Sequence, residues 1–94
     1  MEAKEHILAF FDAIKDDGRF SVYHISLYIA IMHYQIERNW QNPVSIHREQ
    51  VVAKTRMCRR KFNRCMKELV EFGYFKYEPS LRPGHPGKVY VKRL

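Results

Sequence analysis

A short basic segment of the chain carries the side chains best suited to bind another molecule. Its long donor groups are Arg59, Arg60, Asn63, Arg64 and Lys67. At about 100° per helical residue, these five positions share one arc of a helix. The apolar positions share an opposite arc of roughly 120°, and they are Phe62, Cys65, Met66, Leu69 and Phe72. One face can therefore pack into a core while the other meets an anion, as a DNA-recognition helix requires.

Hydrogen-bond chemistry assigns roles within this basic segment. Arginine can donate two bonds to O6 and N7 of guanine, and asparagine can pair in the same way with N6 and N7 of adenine. Lys67, one turn further on, and Arg56, before the helix, are better placed for phosphates. The alternative is a solvated basic face without a ligand, which five basic residues within nine positions disfavour. The residues predicted to read bases in the major groove are Arg59, Arg60, Asn63 and Arg64.

Charge is divided unevenly along the 94 residues, whose net charge is +7. Residues 1–42 carry four Lys/Arg against six Asp/Glu, and residues 43–94 carry thirteen against four, so the second part has a net charge of +9. Such a basic field attracts polyanions and accelerates encounter with them. An anionic membrane surface is the less favoured partner, since it requires an exposed apolar face beside the charges, and here that face is predicted to be buried.

The first 42 residues predict two helices. Residues 3–15 have amphipathic spacing, with Ile7, Leu8, Phe11 and Ile14 on the inward side. Ser21 is the expected N-cap of a second helix that reaches about residue 39 or 40. The second helix has two apolar stripes, which favours a position between the first helix and the rest of the domain. The alternative is a homodimer surface formed by one stripe together with the first helix.

Residues 43–94 predict a helix, a tight turn, the basic helix and two strands. Residues 44–46 are extended, residues 48–54 form a short helix, and residues 55–57 form the turn. The basic helix covers residues 58–72 and ends at Gly73 in a C′ position. Strands are expected at residues 74–78 and 88–92, with a loop over residues 79–87 between them.

The run VVAKTRMCRRKFNRCMKELVEFGYFKYEPSLRPGHPGKVYV resembles winged helix-turn-helix domains of bacterial DNA-binding proteins. The resemblance covers residues 43–94, and its most specific part is MKELVEFGYFKY, a recognition helix that leads directly into the first strand of the wing. It implies that residues 1–42 supply the preceding helices. Many such domains place Gly at the site of Arg56. A left-handed conformation is costly for arginine, which leaves a different turn geometry open.

The loop and second strand of the wing supply three further candidates. Arg82, His85 and Lys88 lie on or beside the loop, and together with Arg56 they complete the predicted DNA-binding set. A cationic loop can reach the minor groove or the backbone of DNA. The alternative is a surface loop whose charges are incidental.

Metal binding and catalysis find little support in the spacing of residues. No Cys/His pair has the spacing of zinc ligands, and there is no phosphate loop, nucleophile elbow or paired-carboxylate arrangement. Cys58 and Cys65, about 10 Å apart along a helix, are too distant for a disulfide and are expected to be buried thiols. We therefore predict no catalytic residues, no metal, no cofactor and no small-molecule ligand.

The resulting prediction is one mainly α domain over residues 1–94, a winged helix-turn-helix with a small β wing, that binds specific double-stranded DNA. It would serve as a transcriptional regulator or as a recombination or replication factor in the bacterial cytoplasm, on the nucleoid. No membrane span of about 20 apolar residues is present, and the acidic N-terminus does not resemble a secretory signal. Two alternatives remain: a module that binds an acidic protein, and an RNA-binding domain.

Overall fold

Two pairs of helices and three short strands form the protein in the computed structural model, which describes residues 3–82 and 84–92. The elements are α1 (Ala3–Ile14), α2 (Val22–Glu37), β1 (Val44–Ile46), α3 (Arg48–Thr55), α4 (Arg59–Glu71), β2 (Phe75–Glu78) and β3 (Gly87–Val91). Every predicted element is present, and the described chain is mainly α with one small antiparallel sheet. Pro83, within the predicted loop, and residues 1, 2, 93 and 94 of the predicted domain lie outside the described residues.

The predicted helix ends are confirmed by their backbone geometry. Ser21 caps α2, because its Oγ accepts hydrogen bonds from the backbone N–H groups of Tyr23 and His24. The imidazole Nδ1 of His24 accepts the backbone N–H of Ser21 at 2.9 Å, which completes a reciprocal capping box. At its C-terminal end, α4 is followed by Gly73 with φ +91°, the left-handed conformation that glycine adopts at a helix C-terminus.

The sheet has the order β1-β3-β2, with β3 in the centre and both pairs antiparallel. Side chains alternate along β3, where Gly87, Val89 and Val91 are buried and Lys88 is exposed. Val89 lies opposite Val44 of β1 and Tyr77 of β2. The inner face therefore joins the core, and the hairpin of β2 and β3 extends from it beside α4.

Helix α2 is packed on several sides, which confirms the predicted position between α1 and the later elements. Phe10 of α1 stacks on Tyr28 with ring centroids 3.8 Å apart and an interplanar angle of 2°. Tyr28 in turn stacks on Phe75 of β2 at 5.3 Å. All three rings are at most 1% exposed. This aromatic stack holds α1, α2 and β2 together, and α2 also packs on α3 and α4.

The inward face predicted for α1 is correct for Ile14, which is buried, and for Ile7, which packs against the core, but wrong for Leu8 and Phe11, which are 60% and 44% exposed. His6 and Phe10 are the other buried residues of the helix. Burial of His6 is possible because its Nε2 lies 2.5 Å from the hydroxyl oxygen of Tyr28, so that a buried polar atom has a partner. With Phe10 stacked on Tyr28 beside this contact, the buried face of α1 lies about one position away from the face that apolar spacing alone favoured.

Two smaller expectations also need correction. Cys58 is exposed rather than buried, because it is the N-cap of α4 and its Sγ accepts the backbone N–H of Lys61. Arg56 has φ 59° and ψ 21°, so the turn between α3 and α4 does use a left-handed residue at this site. Arginine therefore occupies the conformation that favours glycine.

Candidate nucleic-acid interface

The five predicted binding residues of α4 are all exposed, whereas the opposite face of the same helix is buried. The exposed side chains are Arg59, Arg60, Asn63, Arg64 and Lys67, and the buried ones are Phe62, Cys65, Met66 and Leu69. Burial of this apolar face fixes the rotation of α4 about its own axis. The donor side chains are consequently held on the outer surface by packing rather than by contacts of their own.

The five side chains differ in whether they have a hydrogen-bond or ion-pair partner within the protein. Arg59 Nη2 is bonded to Glu49 Oε1 at 2.8 Å, and Arg64 Nε lies 3.7 Å from Glu68 Oε1. By contrast, Arg60, Asn63 and Lys67 make no side-chain hydrogen bond or ion pair with the residues that the structure describes. A ligand can engage these three without first breaking an internal contact.

A basic cleft of about 500 Å³ opens between the start of α3, the start of α4 and the hairpin loop. We call it the N-terminal cleft; its charged or titratable lining residues are His47, Arg48, Glu49, Arg59, Arg82 and His85. Nε of Arg48 is buried and has no hydrogen-bond partner among the described residues. The cleft brings two of the predicted loop residues, Arg82 and His85, close to α4, and adds Arg48, which sequence reasoning missed.

The carboxylate of Glu49 is the acidic group of this cleft. Its pKa is lowered by a hydrogen bond from its own backbone N–H and by the side-chain bond from Arg59. The carboxylate is therefore ionised at neutral pH, where it offsets part of the positive charge of Arg48 and Arg59.

The remaining predicted residues lie apart from the cleft. Lys88 is on the outer face of the sheet, beside Ser45 and Glu78 in the strand register. Arg56 is exposed at the turn between the two helices. The structure therefore does not bring Lys88 together with Arg82 and His85, although all three are close in sequence.

The hairpin loop is organised by a short turn of its own. Ser80 Oγ donates to the carbonyl oxygen of Arg82 at 2.8 Å and accepts the backbone N–H of Arg82 at 3.2 Å. Leu81 is 96% exposed between them. The turn projects the loop away from the sheet and toward the side of the molecule that carries the cleft.

A second depression, of about 370 Å³, lies between α4 and β2 and includes Asn63, Lys67, Val70 and Tyr77. Tyr77 also lines the N-terminal cleft, so that its ring separates the two depressions. Gly87 makes room for this ring, because a Cβ at that position would lie 3.2 Å from Tyr77. Sequence reasoning did not find this role for Tyr77, since it depends on a contact across the hairpin.

One group of potential metal ligands also escaped sequence reasoning. His24 Nε2, Cys65 Sγ and a Glu68 carboxylate oxygen all lie within 4.8 Å of one another. The two helices that carry them are about 40 residues apart in the chain, so spacing rules for zinc motifs give no signal for this group.

Comparison with models of known protein families, with curated proteins and with solved structures finds no match to this chain. Among the described residues, no helix has both the length and the apolar character needed to cross a membrane.

Proposed function

We propose that this chain is a winged helix-turn-helix domain that binds double-stranded DNA through α4. The observation that carries the proposal is the outward set of Arg60, Asn63 and Lys67, which have no internal partners and stand on a helix whose opposite face is buried. These groups are the ones that bond base edges and phosphates. A helix with such a face fits the major groove, which is about 12 Å wide.

The order of elements supports the same proposal. Helix α3, a turn at Arg56 and helix α4 form a helix-turn-helix, and β2 and β3 follow as a hairpin that would be the wing. Val51 of α3 and Phe62 of α4 are both fully buried, so the two helices share the core. The left-handed backbone of Arg56 reverses the chain sharply between them.

The N-terminal cleft would then contact the DNA backbone beside the groove that α4 occupies. Arg48, Arg82 and His85 supply donors there, and the hairpin loop that carries two of them can reach a phosphate or the neighbouring minor groove. Lys88 faces away from the cleft and contributes to the long-range field instead. Arg56 would neutralise a phosphate near the turn.

The biological role that we propose is that of a small bacterial regulator, or of a recombination or replication factor on the nucleoid. A homodimer formed through α1 and α2 stays a prediction. Leu8 and Phe11 of α1 are the exposed apolar residues that such a contact would cover. A dimer would place two copies of α4 on half-sites of a palindromic sequence.

Fluorescence anisotropy with labelled random duplex DNA, measured across a salt series, tests the proposal. We expect binding that weakens steeply with salt, with a log-log slope of about 0.9 per neutralised phosphate. Lys67→Ala should reduce that slope by about 1. Lys15→Ala is the matched control, because it removes one exposed lysine from the turn just after α1, far from α4 in sequence, and it should leave the slope unchanged.

Base reading requires a separate experiment with a selected site. Arg60→Ala and Arg64→Ala should each weaken binding to that site by about 1–3 kcal/mol while affecting random DNA less. No binding of duplex at about 50 mM salt, where phosphate-contacting proteins bind strongly, would reject the proposal and favour an acidic protein as the partner. Preference for single-stranded RNA in competition would also reject it.

A further inference from the structure

Behind the exposed face of α4, three side chains of different chemistry converge at the contact between α2 and α4. His24 comes from α2, and Cys65 and Glu68 come from α4. Their potential ligand atoms all lie within 4.8 Å of one another. His24 and Cys65 are buried, and the side chain of Glu68 is 30% exposed. The cluster is thus mainly interior, with one side open to solvent.

We propose that His24, Cys65 and Glu68 bind a borderline divalent cation such as Zn²⁺. An imidazole nitrogen, a thiolate sulfur and a carboxylate oxygen are the three ligand types that Zn²⁺ takes from proteins, and a set of three leaves one position for water. The proposal does not rest on DNA binding, because none of the three side chains belongs to the outward set of Arg60, Asn63 and Lys67, although Glu68 lies 3.7 Å from the predicted base reader Arg64.

The distances between the potential ligand atoms are close to those around a single zinc ion. Zinc bonds of about 2.0–2.3 Å in tetrahedral geometry place ligand atoms about 3.4–3.6 Å apart. His24 Nε2 and Glu68 Oε1 are already 3.0 Å apart. Cys65 and Glu68 are three residues apart on α4 and therefore share one face of that helix. The three atoms, all within 4.8 Å of one another, therefore lie close to the spacing of a zinc site.

The imidazole of His24 has hydrogen-bond partners both without and with a bound cation. With no cation, Nδ1 accepts the backbone N–H of Ser21 at 2.9 Å and Nε2–H donates to Glu68. A cation on Nε2 requires the other neutral tautomer, with the proton on Nδ1. Ser21 Oγ lies 2.9 Å from Nδ1 and can accept that proton, while the backbone N–H of Ser21 gives up its bond to Nδ1. A polar partner on the second ring nitrogen is the usual support of a metal-bound histidine.

Proton balance follows from these two states. The imidazole exchanges one tautomer for the other without net change, and the thiol of Cys65 releases one proton as its sulfur bonds to the cation. Burial raises the pKa of this thiol, and Glu68 raises it further, while Lys61 and Arg64 act in the opposite direction. One proton is therefore released for each cation bound.

Titration of the full chain with Co²⁺, a spectroscopic substitute for Zn²⁺, tests the site. We expect saturation at one equivalent, visible ligand-field bands of tetrahedral intensity and a thiolate-to-cobalt charge-transfer band. Addition of Zn²⁺ should then remove the spectrum by displacing Co²⁺. The Cys58→Ser variant supplies the matched control, because it removes the exposed thiol at the start of the same helix and should keep the whole spectrum.

Substitution of the proposed metal-binding residues is the second part of the test. Cys65→Ala should abolish the charge-transfer band, and Glu68→Gln should weaken binding at least about tenfold, the lower end of the effect seen when support of a metal site is removed. Should Cys65→Ala fail to fold, the spectrum of Cys58→Ser still decides, since Cys65 is then the one thiol left. The proposal is overturned if the band disappears in Cys58→Ser, or if stoichiometric Co²⁺ gives no spectrum. The cluster would then be a hydrogen-bonded link between α2 and α4.

Discussion

Arg59 and Glu49 join the first turns of α4 and α3, with Arg59 Nη2 2.8 Å from Glu49 Oε1. Both side chains are more than 60% exposed, so the bond stands at the mouth of the N-terminal cleft rather than in the core. An exposed pair of this kind contributes only about 0–1 kcal/mol to folding. Its larger consequence is electrostatic, because it places a negative charge in the proposed phosphate-binding cleft and restrains one of the proposed base-reading arginines.

Substitution Glu49→Gln should therefore strengthen DNA binding. The neutral amide removes the repulsion of phosphate and releases Arg59, so we expect affinity for random duplex to rise. The gain should shrink as salt screens the charges. Anisotropy of wild type and variant at two salt concentrations measures it. Glu37→Gln, which changes an exposed carboxylate at the end of α2, is the control, and a loss of affinity in Glu49→Gln would mean that Glu49 itself contacts DNA.

The two adjacent phenylalanines of α1 should differ sharply in their effect on stability. Phe10 is fully buried against Tyr28, and Phe11 is 44% exposed. Phe10→Ala should lower the free energy of unfolding by about 3–5 kcal/mol, whereas Phe11→Ala should lower it by about 1 kcal/mol because about half of the ring is already in water. Urea unfolding with an unchanged m-value measures both. Equal losses would contradict the rotation of α1 in the structure.

This pair of residues also illustrates what the sequence could predict. Element types and their order follow from local signals, such as Ser21 at a helix start and Gly73 at a helix end. The face of α1 that is buried does not follow from local signals, because the burial of His6 depends on the hydroxyl of Tyr28, 22 residues later. The apolar spacing of Leu8 and Phe11 gave the stronger local pattern, but the observed face is the one on which both His6 and Phe10 contact Tyr28.

The candidate site shows the same division between local and long-range information. The outward position of Arg60 and Lys67 could be predicted, since helical periodicity and the opposing apolar residues determine it. The ion pair of Arg59 with Glu49 could not, because it depends on the angle between α3 and α4. The position of Tyr77 between two depressions likewise depends on the hairpin register opposite Val89. Contacts between elements carry no periodic signal in one sequence.

Stability should depend on pH through His6. Burial lowers the pKa of this imidazole below its ordinary value of 6.5, so the folded state favours the neutral form while the unfolded state can be protonated. The stabilisation is complete above about pH 6.5 and is lost as pH falls through 6.5 toward the lower folded-state pKa. Melting temperatures from pH 8 to pH 5 should decline across this window.

The control for this pH effect removes the titrating group. His6→Gln keeps a polar side chain near the hydroxyl of Tyr28 and should reduce the decline, while His33→Gln, at an exposed position, should leave it intact. NMR titration of the His6 ring protons gives the pKa directly. A value above 6.5, or an equal decline in His6→Gln, would contradict the effect of burial.

Stability and DNA binding should change in opposite directions when Arg56 is replaced by glycine. Arg56 has φ 59°, a conformation that costs a residue with a Cβ about 1–2 kcal/mol and costs glycine no such strain. Glycine also loses more backbone entropy on folding, about 0.5–1 kcal/mol, so the net gain in the free energy of unfolding should be about 0–1.5 kcal/mol. The same substitution removes a proposed phosphate contact, which should lower the salt slope by about 1 and weaken binding.

Arg56→Ala separates the two effects, because it removes the charge but keeps the strained backbone. Urea unfolding and anisotropy should then show equal losses of affinity in both variants and a gain in stability in Arg56→Gly alone. Unchanged affinity in both variants would exclude Arg56 from the interface, whereas a lower stability of Arg56→Gly than of Arg56→Ala would show that the left-handed conformation costs less than the backbone entropy of glycine.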